Sequence, residues 1–205
     1  MRRADLPTGQ KWTSSPSSPN PPGFAATSRK AIACVQRAAG PALKVSPDPF
    51  GLGTGPAGDV TADVSSPSFA IAGPLQLPSA SSEVVMTTHA LQATSDLRAL
   101  AAPSALPCVQ TAVRALFSLG QVQLTGFSVK SLSPPDLTPA QPRAGFSILI
   151  SGPSFGKIHD DAYFYTVGRA ELVLSFTGLN GHFPANWALS ISKKIVARAE
   201  ALVPD

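Results

Sequence analysis

The sequence predicts an α+β fold, with a single, mainly antiparallel sheet flanked by helices in an α/β/α sandwich. The first observation is the order of the segments, because runs of strand-like segments lie between helix-like ones instead of alternating with them as in a parallel βαβ fold. The second is composition, since the 205 residues are 43% hydrophobic and 14% charged. This composition provides enough apolar residues for a core and excludes a coiled coil or a disordered chain. The 21 prolines predict long connectors.

Residues 1–27 form a predicted N-terminal arm, and residues 28–205 a single α+β domain. The arm is rich in Pro and Ser. This composition favours extended, mobile backbone because it offers no packed face. Trp12 and Phe24 are the side chains that can anchor the arm to a core.

Thr27 or Ser28 is predicted to cap a first helix that ends at Ala39, with Gly40 as the residue after it. Residues 41–66 are rich in Pro and Gly, and we expect a long loop there. Next come two strands and then two helices, at 68–72, 83–88, 95–102 and 107–119.

Strands dominate the last part of the chain. A strand with a bulge at Gly126 is predicted first, and residues 146–150 then alternate as a half-buried strand does. Residues 160–167 and 170–177 predict a hairpin. Pro184 opens the final helix. Its apolar stripe consists of Ala188, Ile191, Ile195, Ala199 and Leu202.

The net charge of +4 is unevenly distributed. Residues 1–44 carry seven basic and one acidic side chain, whereas residues 45–97 carry five acidic and no basic ones. A basic segment can attract nucleic acid, but these bases are dispersed and no aromatic residues are interleaved with them. We therefore expect a solvated basic surface and disfavour nucleic acid as a partner.

No stretch approaches 18 consecutive apolar residues, so the sequence predicts no transmembrane segment in this chain. The opening Met-Arg-Arg is similar to the basic start of a signal peptide, but residues 4–7 are not an apolar continuation. A lipoprotein-like box at 31–34 directly follows two basic residues and is rejected. Two alternatives stay open, a cytoplasmic protein or a chain whose start lies downstream of an export signal.

The two cysteines, Cys34 and Cys108, do not form a CxxC pair, which excludes a zinc ribbon or a thioredoxin-type site. Both lie in predicted apolar helices. From the residues alone they are either separate buried thiols or one disulfide, which indicates export. These two interpretations are equally supported.

No cofactor or metal site is predicted. The Gly-rich segment 51–58 lacks the preceding strand and following helix of a dinucleotide-binding loop, and it has no Gly-Lys-Ser/Thr ending. His89, His159 and His182 lie in no metal-binding spacing.

The string at 152–156 has the Gly-x-Ser-x-Gly spacing of serine hydrolases. A predicted strand follows it, however, whereas a nucleophile elbow requires a helix there. The alternative hypothesis of a small serine hydrolase uses a serine, a histidine base and a neighbouring carboxylate. Its residues are Ser154, His159 or His182, and Asp160 or Asp161.

Aromatic residues are concentrated in the strand that contains Tyr163, Phe164 and Tyr165, so large groups lie on both of its faces. One face can pack in the core while the other meets a ligand or partner. The candidate ligand or partner patch consists of Tyr163, Tyr165, Trp187 and His159.

Residues 167–178, 183–184 and 196–199 resemble the closing strand and helix of exported actinobacterial sensor-like and lipoprotein domains. These include the PknH-type extracellular sensor domain and the LpqN-type lipoproteins, which have a PsbP-like α/β/α sandwich. Residues 5–12 resemble the opening segment of the same domains. The resemblance covers most of the chain in layout, and it transfers no catalytic residue because the shared pattern is structural.

Members of these families often carry one cysteine in the first helix and another near the middle, so the resemblance implies a disulfide between Cys34 and Cys108. It also implies a non-enzymatic, extracytoplasmic domain that binds a small apolar ligand, a cell-envelope component or an envelope protein. We favour this function over an enzyme. The chain departs from the lipoprotein members because it has no lipobox cysteine, so membrane anchoring is not implied.

Overall fold

The computed structural model describes residues 1–16, 21–46, 60–73, 76–137 and 143–203. Within them the chain forms one sheet of eight strands and four α-helices, which confirms the predicted α+β class. The helices are α1 (Phe24–Ala39), α2 (Ala90–Ala101), α3 (Leu106–Leu119) and α4 (Ala185–Leu202). The strands are β1 (Trp12–Ser15), β2 (Val60–Ser65), β3 (Ser68–Ile71), β4 (Ser79–Thr87), β5 (Gly126–Ser131), β6 (Arg143–Gly152), β7 (Gly156–Val167) and β8 (Ala170–Leu179).

The strand order in the sheet is β1-β3-β4-β8-β7-β6-β5, and β2 also pairs with β4. Each described pairing is antiparallel. The hairpin of β7 and β8 turns through two residues between Val167 and Ala170. Gly168 takes a positive φ of 52° at the first turn position, which glycine adopts without steric cost.

The two faces of the sheet are covered differently. Helix α4 packs on β7 and β8 over what we call the α4 face. Helices α2 and α3 cover the opposite face, and α1 lies outside them and contacts both; we call this the helix-layer face. Because successive residues of a strand point to opposite faces, Tyr163 and Tyr165 of β7 join the α4-face core, whereas Phe164 joins the helix-layer core.

The N-terminal residues take part in the fold. Strand β1 pairs with β3 at the end of the sheet, and Leu6 and Trp12 are both buried in the α4-face core. Trp12 Nε1 also donates a hydrogen bond to the Pro7 carbonyl oxygen at 3.0 Å. Trp12 therefore anchors this segment, whereas the division into an arm and a domain stays a prediction.

Several local expectations are corrected. Helix α2 begins at Ala90, five positions before the expected start of this helix at 95. Helix α1 begins at Phe24, earlier than the expected cap at Thr27 or Ser28. Strand β2 occupies part of the expected loop because its backbone pairs with β4. No bulge occurs at Gly126, where β5 starts and pairs regularly with β6.

Candidate functional site

An enclosed, mainly apolar pocket lies on the helix-layer face of the described residues. It lies between α1, α2 and α3 on one side and strands β6 and β7 on the other. Its volume is about 190 Å³. The apolar lining residues are Ala31, Ile32, Val35, Val45, Leu100, Val109, Ala112, Val113, Leu116, Phe146, Ile148, Ala162 and Phe164.

The local sequence explains how each element contributes to this apolar pocket. In α1, Ser28, Ile32 and Val35 are buried on one helical face, and in α3 Val109, Val113 and Leu116 follow the same helical spacing. Strands β6 and β7 contribute alternate residues. Several lining residues stay partly exposed, so apolar surface is left uncovered by protein inside the pocket.

The size of the pocket matches a small organic molecule. A dry, apolar cavity of about 150 Å³ is large enough to bind benzene. A pocket of about 190 Å³ has room for a slightly larger apolar molecule.

A disulfide holds the outer wall of the pocket. Cys34 of α1 and Cys108 of α3 are bonded, with a Cα–Cα distance of 5.6 Å and 74 positions of sequence separation. This is the pairing that the resemblance implied. The bond ties α1, which has few contacts with the sheet, to the helix that lies between it and β5.

Two acidic side chains, one from α2 and one from β8, are buried at the inward face of α2. Asp96 lines the pocket and is 1% exposed, and Glu171 of β8 is fully buried. Burial raises the pKa of Asp96, and hydrogen bonding to Ser46, Glu171 and Gln92 partly offsets that effect. Two carboxyl groups therefore come close together, and Asp96 is the one that lines the pocket.

Sequence reasoning missed this acid pair. A signal was present for Asp96, which shares the inward stripe of α2 with Ala93, Leu97 and Leu100. A carboxylate on an apolar helical stripe requires partners, but its partners Ser46 and Glu171 are far away in the sequence.

A second polar cluster lies on the α4 face, near the start of β7. His182 Nδ1 is 2.8 Å from Asp161 Oδ2, and the rings of His159 and His182 are 4.5 Å apart between centroids. Burial lowers the pKa of His159, and the nearby His182 and Lys157 lower it further while Asp161 opposes them. The predicted His159 and the candidate base His182 are therefore brought together.

Gly178 makes this arrangement possible. It lies opposite His159 in the β7–β8 pairing, and a Cβ on it would lie 2.2 Å from the Gly181 carbonyl oxygen and 2.8 Å from the Phe183 nitrogen. The loop before α4 can therefore cross directly over β8, which places His182 beside Asp161.

The two candidate carboxylates of the hydrolase hypothesis are separated by the sheet. Asp161 contacts His182 on the α4 face. Asp160 instead accepts hydrogen bonds from Ser175 at 2.7 Å and Thr177 at 3.0 Å, and burial raises its pKa. Adjacent strand residues point to opposite faces, so the two cannot serve one histidine.

Ser154 lies in the exposed turn that joins β6 to β7, and β7 follows it where an elbow requires a helix. Of the hydrogen bonds in the part of the chain that the structure describes, none joins Ser154 to His159 or His182. The Gly-rich segment 51–58 lies outside the described residues.

The predicted aromatic patch lies mostly inside the protein. Tyr163 and Tyr165 are 8% and 2% exposed, and Trp187 packs against Trp12 and Phe183 with ring centroids 6.0 Å apart in both pairs. Burial raises the pKa of both tyrosines. These aromatic side chains stabilise the packing of α4, and a binding role for the patch stays a prediction.

The described residues contain no group of three or more His, Cys, Asp or Glu side chains that could hold a metal ion. No helix in the described ranges is both long and apolar enough to cross a membrane.

Comparison with known proteins shows a loose likeness of fold. No family model and no curated protein matches the chain. Among solved structures, the extracellular domain of PknH from Mycobacterium tuberculosis is 14% identical, with a TM-score of 0.48 over 93% of this chain and 83% of that one. A protein of unknown function from Pseudomonas aeruginosa, PA94, described as a putative regulator, is 15% identical, with a TM-score of 0.27 over 71% of this chain and 85% of that one.

Proposed function

We propose that this chain is a non-enzymatic, extracytoplasmic sensor-like domain that binds a small apolar molecule in the apolar pocket. The observation that carries the proposal is the pocket itself, about 190 Å³ in volume and lined mainly by aliphatic and aromatic side chains. Ligand sites are typically concave and apolar with few polar groups. Uncovered apolar surface lacks dispersion contacts, which an apolar ligand would supply.

The extracytoplasmic part of the proposal is supported by the disulfide. Cys34 and Cys108 are bonded, and such bonds persist in oxidising compartments but are rare in the cytosol. The resemblance of the closing strand and helix to exported sensor-like domains points the same way. Thiol counting on denatured native protein without reductant tests this part, and two free thiols would contradict it.

Ligand binding can be tested with ethylbenzene, an apolar molecule slightly larger than benzene. A ligand that binds only the folded state raises stability by about 2.7 kcal/mol at a hundredfold excess over its Kd. We expect ethylbenzene to raise the melting temperature of the wild-type protein. The Ala112→Phe variant fills the pocket with a side chain, so its melting temperature should not respond.

Ala197→Phe is the matched control, because Ala197 lies on the exposed side of α4, away from the pocket. This variant should respond to ethylbenzene as the wild type does. An unresponsive wild-type protein would contradict the proposed function. An equal response of Ala112→Phe would place the binding elsewhere.

A further inference from the structure

The apolar pocket has a charged residue in its wall. Asp96 is the one ionisable side chain among the described residues that line it. It projects from the inward stripe of α2 and is 1% exposed. A carboxyl group in such a place is costly unless hydrogen bonds satisfy it, so its partners decide what it can still bind.

One carboxylate oxygen is held firmly. Asp96 Oδ1 accepts hydrogen bonds from the Ser46 backbone nitrogen at 2.7 Å and from Gln92 Nε2 at 2.9 Å. Gln92 and Ser95 also donate to the Lys44 carbonyl oxygen. The connector after α1 is thereby tied to α2, and the orientation of the carboxyl group is fixed before any ligand arrives.

The other oxygen keeps acceptor capacity. Asp96 Oδ2 is buried and has no hydrogen-bond partner of regular geometry, although a carboxylate offers about four acceptor sites. The Ser46 hydroxyl and the Glu171 carboxyl group lie close enough to lower the pKa of Asp96, but neither comes into hydrogen-bond geometry with Oδ2. A buried acceptor without its full set of donors gains from a new one.

We propose that the pocket selects an apolar molecule of about eight non-hydrogen atoms that carries one terminal hydroxyl group, which donates its hydrogen bond to Asp96. This inference rests on the proposed function and specifies the ligand class of the same site. The apolar body fills the space among Ile32, Leu100, Val113 and Phe146.

The same carboxyl group excludes acids from the pocket. The two N–H donors on Oδ1 favour the ionised form of Asp96. A ligand carboxylate would therefore meet a like charge, and it would lose its hydration without gaining a cation. No basic side chain lines the pocket within the described ranges. A free fatty acid or aromatic acid is therefore the wrong ligand, whereas an alcohol of the same shape is the right one.

Three compounds of similar shape test this inference. Ethylbenzene, benzyl alcohol and benzoate differ at the group that would meet Asp96. In titrations of the wild-type protein, we expect benzyl alcohol to bind at least about fivefold more tightly than ethylbenzene, because a hydrogen bond to a charged acceptor outweighs the burial of a methyl group. Benzoate should not bind measurably.

A substitution of Asp96 then tests whether this residue causes the preference for benzyl alcohol. Asp96→Asn removes the charge, so the advantage of benzyl alcohol over ethylbenzene should shrink to about twofold or less. Glu200→Gln makes the same chemical change on the exposed side of α4 and should keep the wild-type ratio. Should Asp96→Asn fail to fold, the three wild-type affinities still decide the question.

Each outcome has a distinct meaning. If ethylbenzene binds as tightly as benzyl alcohol, or if benzoate binds comparably, the hydroxyl selectivity is overturned while the proposed function stands. If none of the three compounds binds the wild-type protein, the proposed function itself fails.

Discussion

At the scale of single residues, Asp5 is a buried carboxylate whose stability depends on its hydrogen-bond partners. Its side chain is 2% exposed, and it accepts hydrogen bonds from both terminal nitrogens of Arg198 and from the Arg2 backbone nitrogen. Burial alone would raise the pKa of Asp5, but the bonds from Arg198 and Arg2 outweigh it and lower the pKa. The charged form is therefore the stable one in the folded protein.

Removing Arg198, the ion-pair partner of Asp5, should lower the free energy of unfolding substantially. Arg198→Ala leaves a buried carboxylate without its counter-charge, for which a loss of roughly 3 kcal/mol is expected, at the low end for buried pairs because Arg198 is partly exposed. Urea unfolding at pH 7 measures this loss. Lys193→Ala removes an exposed cation one turn earlier on α4, and it should change the free energy of unfolding by less than about 0.5 kcal/mol.

The difference in free energy of unfolding between the wild-type protein and Arg198→Ala should depend on pH with a definite sign. A carboxylate whose pKa is lowered by folding stabilises the protein above its unfolded pKa of about 3.9, and this contribution is lost as the pH falls through the lower folded value. The gap between wild-type and Arg198→Ala should therefore narrow below about pH 4. A gap that stays constant down to pH 2.5 would argue against the ion pair as its cause.

Residue patterns predicted some of these groups and missed others for a physical reason. The alternation of β7 is readable from the sequence, so the opposite faces of Asp160 and Asp161 follow from it. The contacts of Asp5 with Arg198, of Asp96 with Ser46 and of Asp161 with His182 do not follow, because the partners are 193, 50 and 21 positions apart in the sequence. The residues alone did not decide between two free thiols and a disulfide of Cys34 with Cys108. Only the family resemblance implied the disulfide.

At the scale of elements, the disulfide should control how α1 is held. It closes a loop of 74 positions, for which the chain-entropy account gives a stabilisation of about 4 kcal/mol. We expect the double variant Cys34→Ala and Cys108→Ala to lose about 2–4 kcal/mol, measured by denaturant unfolding. Wild-type protein in reductant should unfold at nearly the same midpoint as the double variant.

The opposite result would also be informative. If reductant leaves the wild-type midpoint unchanged while free thiols appear, α1 is held by its packing on α2 and α3 and not by the bond. Ethylbenzene affinity measured on the same samples would then show whether the bond shapes the pocket.

The elements that sequence reasoning found are those with local signals. A breaker residue or a clear apolar period marks the end of α1 before Gly40, helix α3 and the β7–β8 hairpin. Strands β1 and β2 have neither, because they are short, largely polar and stabilised by pairing with β3 and β4. The apolar pocket was also missed, because it forms only where three helices and two strands come together.

At the scale of the whole molecule, the two faces of the sheet depend on each other through shared strands. Strands β7 and β8 carry Tyr163 and Phe176 toward α4, and Phe164 and Glu171 toward the helix layer. A strand cannot leave one core without disturbing the other. We therefore expect a single cooperative unfolding transition for the described domain.

Deleting residues 1–16 tests how far that cooperativity extends. The deletion removes β1, exposes the edge of β3, and takes Leu6 and Trp12 out of the α4-face core. Trp12→Ala alone should cost about 3–5 kcal/mol, and the deletion at least as much, seen by far-UV circular dichroism as an earlier midpoint of one transition. Lys11→Ala, at the exposed neighbouring position, should leave the midpoint unchanged. If the deletion also leaves it unchanged, residues 1–16 are a separate arm that the α4-face core does not require.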